Sequence, residues 1–274
     1  MGEILGSEKL RARYAERIMA LAEIDHTRVR EVFARIPREA FLGPPPWTTI
    51  SAGVATQTSD LQDIYDNVLV SLDRKHGINN GEPTLHAAWL AIVDPQPGDH
   101  VVHVGAGSGY YTAMLALLVE PGGRVDAFEV HEGLAAESAR NLEPYPGVLV
   151  HAESAFGRPL GPADVVYVNA GVFAPDPEWL IALTPAGRLI FPWQPASSWG
   201  PAILVTRRPG GLAARPIMQV GFITCSGQGR GPVGEIRAAG FEATRSVWLR
   251  DVRPPDDSAT AIYDRLWFSS DEVR

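Results

Sequence analysis

The chain has 274 residues, 45% hydrophobic and 20% charged, which is the composition of an ordinary globular protein with enough length for one large core. A formal net charge of −8 with no basic stripe argues against a nucleic acid partner. The single cysteine, Cys225, rules out an intramolecular disulfide and a cysteine-based metal cluster, and is expected as a small buried side chain on a strand.

Residues 7–24 place Leu10, Tyr14, Ile18, Leu21 and Ala22 near helical spacing, with charges from Glu3 onward where a secretory signal would be apolar. A second helix is expected over 26–35, ending before Pro37. Pro44-Pro45-Pro46 then stiffens the chain, 47–60 reads as an irregular loop, and 64–70 as a short strand. Residues 77–83 form a polar loop ahead of a helix over 84–93. Strands follow at 100–104, 124–130, 148–152, 164–168 and 188–192, alternating with helices at 109–119, 134–142 and 177–183. That alternation predicts an α/β fold, a mostly parallel sheet with helices on both faces. Beyond Pro192 the pattern becomes antiparallel, with strands at 202–206, 214–223 and 241–249 and a late helix near 259–268. Apolar runs stop at about ten residues, too short to span a bilayer, so the expectation is a cytoplasmic protein without a membrane partner.

The chemistry sits where Val101-Val102-His103-Val104 runs into Gly105-Ala106-Gly107-Ser108-Gly109-Tyr110. Glycines at this spacing let a backbone take positive φ and approach a ligand, and the helix behind them offers unpaired N–H groups. The dinucleotide fingerprint needs glycine where Tyr110 stands, and a phosphate-binding P-loop needs a lysine, of which there is none beyond Lys75. What remains is the G-x-G-x-G turn of S-adenosyl-L-methionine-dependent methyltransferases. The next strand ends in Glu129, twenty residues past Gly109, and a carboxylate there is suited to accept both hydroxyls of a ribose.

Together with Ile36-Pro37-Arg38-Glu39-Ala40-Phe41, Asp164-Val165-Val166-Tyr167-Val168 and Leu183-Thr184-Pro185-Ala186-Gly187-Arg188-Leu189-Ile190-Phe191-Pro192, these residues resemble the protein-L-isoaspartate O-methyltransferase family. The resemblance implies a Rossmann-like class I methyltransferase fold. It also implies a helical cap and substrate loop over 1–83, a cofactor-binding core over 84–230 and a C-terminal antiparallel extension over 231–274. Carried over by position, Gly105, Gly107, Ser108 and Gly109 line the methionine and ribose, Glu129 is the ribose acid, and Glu153 with Ser154 falls where the family reads adenine. His103, Ala106, Tyr110, Val130 and Asn169 complete the implied cofactor set. Two features depart from the family. His103 stands where an acid is usual, and the substrate loop G-x-T-I-S-x-P reads Gly77-Ile78-Asn79-Asn80-Gly81-Glu82-Pro83, which puts Asn79 in place of threonine and Gly81 in place of serine.

Methyl transfer to a carboxylate needs alignment more than a base, because the acceptor is already ionised at neutral pH. Asn79 and Asn80 are expected either to donate amide hydrogens to the acceptor or to shape a turn. Glu82, His86 and Asp66 would be the bases if the acceptor were a hydroxyl. The expected activity is carboxyl O-methylation of an isoaspartyl, aspartyl or related dedicated peptide acceptor. A methyltransferase of the same fold acting on another small molecule or peptide group, and a cofactor-binding pseudoenzyme, are the alternatives.

Overall fold

The computed structural model describes residues 6–195, 198–226, 228, 236 and 240–273. The chain divides into two compact units, Met1–Asp99 with Ala106–Glu153, and His100–Gly105 with Ser154–Arg274. No helix among the described residues is long and apolar enough to cross a membrane.

The first unit opens with α1 (Ser7–Leu21) and α2 (Thr27–Arg35), whose apolar faces meet through Tyr14 and Phe33 at a ring separation of 5.8 Å. A single 3-10 turn, Arg38–Phe41, follows. Residues 47–60, expected as irregular, instead form a hairpin of β1 (Trp47–Ser51) and β2 (Val54–Thr58). The Thr, Ile and Val content favours strands. Ala52 and Gly53 take φ of +47° and +79°, the double left-handed turn that matches strand twist. The strand expected over 64–70 is also displaced. Asp60 caps a one-turn helix, α3 (Leu61–Ile64), and the strand β3 starts later (Leu69–Asp73), paired with β1 and with β4 (Ile78–Asn79) in the order β2-β1-β3-β4. The segment expected to be a helical cap therefore also carries a four-stranded antiparallel sheet. After α4 (Pro83–Val93), the strand β5 (His100–Val104) belongs to the second unit. The first unit resumes with α5 (Tyr110–Val119), β6 (Arg124–Phe128), α6 (Glu132–Asn141) and β7 (Val148–His151), with β6 and β7 parallel.

In the second unit β5 pairs in parallel with β8 (Ala163–Val168), and β8 with β9 (Leu183–Pro192), which follows the short α7 (Pro177–Ala182). Beyond β9 the strands among the described residues pair antiparallel. The strands are β10 (Trp199–Arg208), β11 (Gly211–Gly221), β12 (Ser246–Leu249), β13 (Ala259–Ile262) and β14 (Leu266–Ser269), with a one-turn α8 (Gly240–Ala243) before β12. Across this unit the order is β13-β14-β12-β11-β10-β9-β8-β5. The helix expected near 259–268 is thus corrected to two strands. Its Ala, Thr, Ile, Trp and Phe side chains suit a pleated surface, and β14 is fixed by pairing with both β12 and β13. The expected strand 241–249 is shortened by α8 at its start. Trp193 anchors this end, stacked on Phe268 at 4.2 Å and donating Nε1–H to the Tyr263 hydroxyl at 2.7 Å. Cys225 is half-buried and lies outside any strand, against expectation, with its N–H donated to Gly171 O.

His103 is enclosed in β5, edge-on to Tyr167 at 5.6 Å, and burial pushes its pKa down to about 3. A histidine that titrates near 6.5 in the unfolded chain then binds a proton there that the folded protein refuses. Its contribution to stability is complete above about pH 6.5 and is lost as pH falls toward 3, by about 1.4 kcal/mol per pH unit. Urea denaturation of His103→Leu across pH 4 to 7 should show a slope shallower by about one proton than wild type. Equal slopes would show that the imidazole is protonated inside the fold.

Candidate functional site

Within the first unit, the glycine turn is wired to the end of β6. Ala106 N–H donates to Phe128 O at 3.1 Å, and Gly107 N–H donates to Glu129 Oε2 at 2.8 Å. His131 N–H donates to Glu129 Oε1, also at 2.8 Å. Glu129 is buried at 8% exposure, yet each carboxylate oxygen has spent one lone pair on a backbone donor and keeps another. The clamp aims a carboxylate without saturating it, which is what a sugar diol requires. At the start of α5, Gly109 has φ of +97°, and a Cβ there would lie 2.9 Å from both Ser138 Oγ and Leu142 Cδ1, so only glycine fits. Ser108 is buried, its Oγ has no partner among the described residues, and its carbonyl accepts from Asn141 Nδ2. Val130 is exposed beside Glu129, and Glu153 is half-exposed with Oε1 3.8 Å from His151 Nδ1. Tyr110, expected at the cofactor, turns its side chain into the core against Phe41 and Tyr111, at ring separations of 5.6 and 5.1 Å.

The remaining implied cofactor residues belong to the second unit. Gly105 has φ of +78°, and a Cβ there would touch the Asn169 backbone at 3.4 Å. Asn169 N–H donates to Val104 O at 2.8 Å, while its buried Oδ1 has no partner among the described residues. Ser154 Oγ accepts from Phe156 N–H in a local turn, and His103 is neutral in its enclosure.

The loop at 77–83, expected to meet the substrate, is organised from outside itself. Arg38, fully buried, donates Nη1–H to Ile64 O and Asp66 O and Nη2–H to Val68 O and Asn80 Oδ1, at 2.5 to 3.1 Å. Asn80 Oδ1 also accepts Val70 N–H, which leaves the amide Nδ2 buried with no partner among the described residues. Asn79 Oδ1 accepts Gly81 N–H at 2.9 Å and turns the loop. Of the alternative bases, Glu82 accepts from Asn67 Nδ2 and Thr84 Oγ1, and Asp66 pairs with Arg17 at 3.1 Å. His86 is buried and stacked on Tyr111 at 3.7 Å. Sequence reasoning missed Arg38 as the organiser, because its partners lie up to 42 residues away.

Residues 15–230 match the family described as protein-L-isoaspartate(D-aspartate) O-methyltransferase (PCMT). The chain belongs to that family. Among its relatives, a protein-L-isoaspartate O-methyltransferase of Aeropyrum pernix is 35% identical over 66% of this chain and 66% of its own length, and one of Methanopyrus kandleri is 33% identical over 67% and 76%. The matched stretch thus spans just under two thirds of the first relative. A solved protein-L-isoaspartate O-methyltransferase superposes with a TM-score of 0.67 at 20% identity, covering 95% of this chain and 88% of that one. A Plasmodium falciparum beta-aspartate methyltransferase crystallised with S-adenosyl-L-homocysteine gives 0.63 at 18%, covering 80% and 99%. These two likenesses establish a class I methyltransferase fold.

Set against the family loop, Gly81 is a steric exchange. It has φ of +78°, and a Cβ there would penetrate His86 Nε2 and lie 2.8 Å from His86 Cδ2 and 3.2 Å from Tyr111 Cε2. The imidazole occupies the space into which a residue-81 side chain would project, so restoring serine alone cannot restore the family loop. Gly81→Ser should therefore cost roughly 2–4 kcal/mol through left-handed strain and overpacking. Adding His86→Ala should return part of that, giving a coupling of about 1 kcal/mol or more in denaturant titrations. Strictly additive single-variant effects would show that the two positions do not compete for space.

Proposed function

We propose that the protein is an S-adenosyl-L-methionine-dependent methyltransferase that O-methylates a carboxylate, with an isoaspartyl, aspartyl or related side chain of a dedicated peptide as acceptor. The observation that carries the reading is the half-spent carboxylate of Glu129, buried and aimed by Gly107 and His131 N–H groups beside a glycine turn that tolerates no side chain at Gly109. When bound, the cofactor supplies a methyl group made electrophilic by its sulfonium. The residues of this chain bind and align. Glu129 takes the ribose hydroxyls, and exposed Val130 offers an apolar surface to a flat ring. Gly107, the buried Ser108 Oγ and Glu153 are further members of the set in the first unit, and Gly105 and the buried Asn169 Oδ1 in the second.

For the acceptor, Asn80 Nδ2 is a buried donor without a partner among the described residues, held in place because Arg38 and Val70 N–H engage the other end of the amide. A carboxylate relieves that unmet donor, and Asn79 provides a second amide on the same loop. An acceptor carboxylate has a reference pKa near 4, so at neutral pH there is no proton to remove and Glu82 holds the loop through Asn67 and Thr84. In this reading, residues 1–83 act as cap and substrate loop, 84–230 as the cofactor-binding core and 231–274 as an extension, working in the cytoplasm without nucleic acid or membrane. With hydroxyls absent from the loop at positions 79 and 81, acceptance is narrowed to particular peptides.

A methyl-transfer assay on a panel of isoaspartyl and aspartyl peptides tests this. Turnover should concentrate on few sequences, and uniform rates across unrelated peptides would mean general acceptance. Glu129→Ala should weaken cofactor binding by roughly 1.5–3 kcal/mol for each ribose hydrogen bond lost. Glu82→Gln should leave kcat within about threefold, since removal of a true general base costs about a hundredfold or more. A loss of that size would move the acceptor to a hydroxyl.

A further inference from the structure

We propose that Asp73, His76 and His131 form a binding site for a divalent transition metal ion of the zinc type, which ties the turn after β3 to the segment that holds Glu129. Nothing in methyl transfer to a carboxylate uses these side chains. They come from the end of β3, the turn that follows it and the entrance to α6, and they converge on one oxygen. Asp73 Oδ1 accepts the backbone N–H groups of Lys75 and His76 at 2.9 and 3.2 Å, which fixes the carboxylate and turns Oδ2 outward. His76 Nδ1 lies 2.7 Å from Oδ2, and His131 Nε2 lies 3.4 Å from the same atom. The three donor atoms all fall within 4.8 Å of one another.

The geometry is close to what an ion needs. Metal–nitrogen and metal–oxygen bonds of about 2.0–2.2 Å put neighbouring ligand atoms roughly 3–3.5 Å apart, so closing the site takes only a small swing of one imidazole. A carboxylate held by backbone N–H groups is the supported arrangement that ligating carboxylates show. Two imidazoles select zinc, nickel or cobalt over magnesium and calcium, which prefer oxygen alone. Side-chain exposures of 22% for Asp73, 49% for His76 and 36% for His131 let an ion in and leave room for water to complete its shell.

The ion would act through His131. That residue's backbone N–H orients Glu129 Oε1, so immobilising its ring immobilises one arm of the clamp, while Asp73 and His76 hold the turn leading to the substrate loop. This consequence rests on the proposed role of Glu129. The metal site itself does not.

The test uses the full chain stripped with EDTA, then titrated with Zn²⁺ by calorimetry and with Co²⁺ by visible absorption. One equivalent of each should bind, Co²⁺ with ligand-field bands, and His76→Ala and His131→Ala should each weaken Zn²⁺ binding about tenfold or more. His76→Ala should keep the wild-type circular dichroism and the metal-free affinity for S-adenosylhomocysteine, so its loss of Zn²⁺ binding is not unfolding. Zn²⁺ should tighten S-adenosylhomocysteine binding in the wild type and leave it unchanged in His76→Ala. Absence of saturable one-to-one binding, or binding that survives both alanine variants undiminished, overturns the site. Full Zn²⁺ binding by a protein that fails to bind S-adenosylhomocysteine would sink the methyltransferase reading and leave the metal site standing.

Discussion

A guanidinium sealed from water sets the terms for the first unit. Arg38 cannot shed its proton, so burial is tolerable only if its N–H groups find acceptors, and the chain bends to provide them for both Nη groups, while Nε–H has none among the described residues. Ile64, Asp66 and Val68 turn their carbonyls inward along one short stretch, and Asn80 supplies its amide oxygen from the far side. Tyr65 accepts the Arg38 N–H and donates its own hydroxyl to Glu39. The rings of Tyr14 and Tyr110 flank the charge at 5.9 Å, favourably for a cation over a π face. One charge therefore ties α1, the 3-10 turn, the start of β3, the loop at 77–83 and the helix of the glycine turn. This gives a physical reason for the Pro37-Arg38-Glu39 motif: it is the keystone of the loop, placed far from it in sequence.

Glu129 is the counterpart at the glycine turn. A buried carboxylate is costly unless hydrogen-bonded, and two backbone N–H groups meet that cost while fixing its plane. Because one of those donors is Gly107, the glycine turn and the acid orient each other. Each needs the other in place, and neither depends on a side chain that samples rotamers. The arrangement is thus preorganised for a ligand diol, with little conformational entropy left to lose on binding.

What could be read from the sequence was what the chain decides locally. β5, the glycine turn, α5 and the carboxylate at the end of β6 follow from apolar runs, glycine spacing and strand length, all within thirty residues. The hairpin at β1 and β2 was not legible because its turn puts Ala52, an unusual choice, in the left-handed region. The β13–β14 segment has apolar residues at Ala259, Tyr263 and Leu266, which imitate a helix, and the pairing that makes it a strand comes from β12. Asn80 read equally as a turn residue or an acceptor donor. In the structure the oxygen is committed to Arg38 and Val70, and the nitrogen has no partner among the described residues.

The departure at Gly81 takes a different meaning in three dimensions. In sequence it looks like a deletion of function, a hydroxyl replaced by hydrogen. In space the same volume is filled by the His86 ring, braced on Tyr111, whose hydroxyl donates to Gly81 O at 3.4 Å. Glycine at 81 is therefore required twice, once for its positive φ and once so that the imidazole fits. The loop has exchanged small rotating hydroxyls for amides and an aromatic stack held in fixed orientation. Alignment is what an in-line displacement asks of a protein, and a rigid loop can supply it as well as a hydroxyl does, but only to acceptors whose shape matches the stack. On this reasoning the altered loop fits the proposed dedicated acceptor and gives no support to a loss of catalysis.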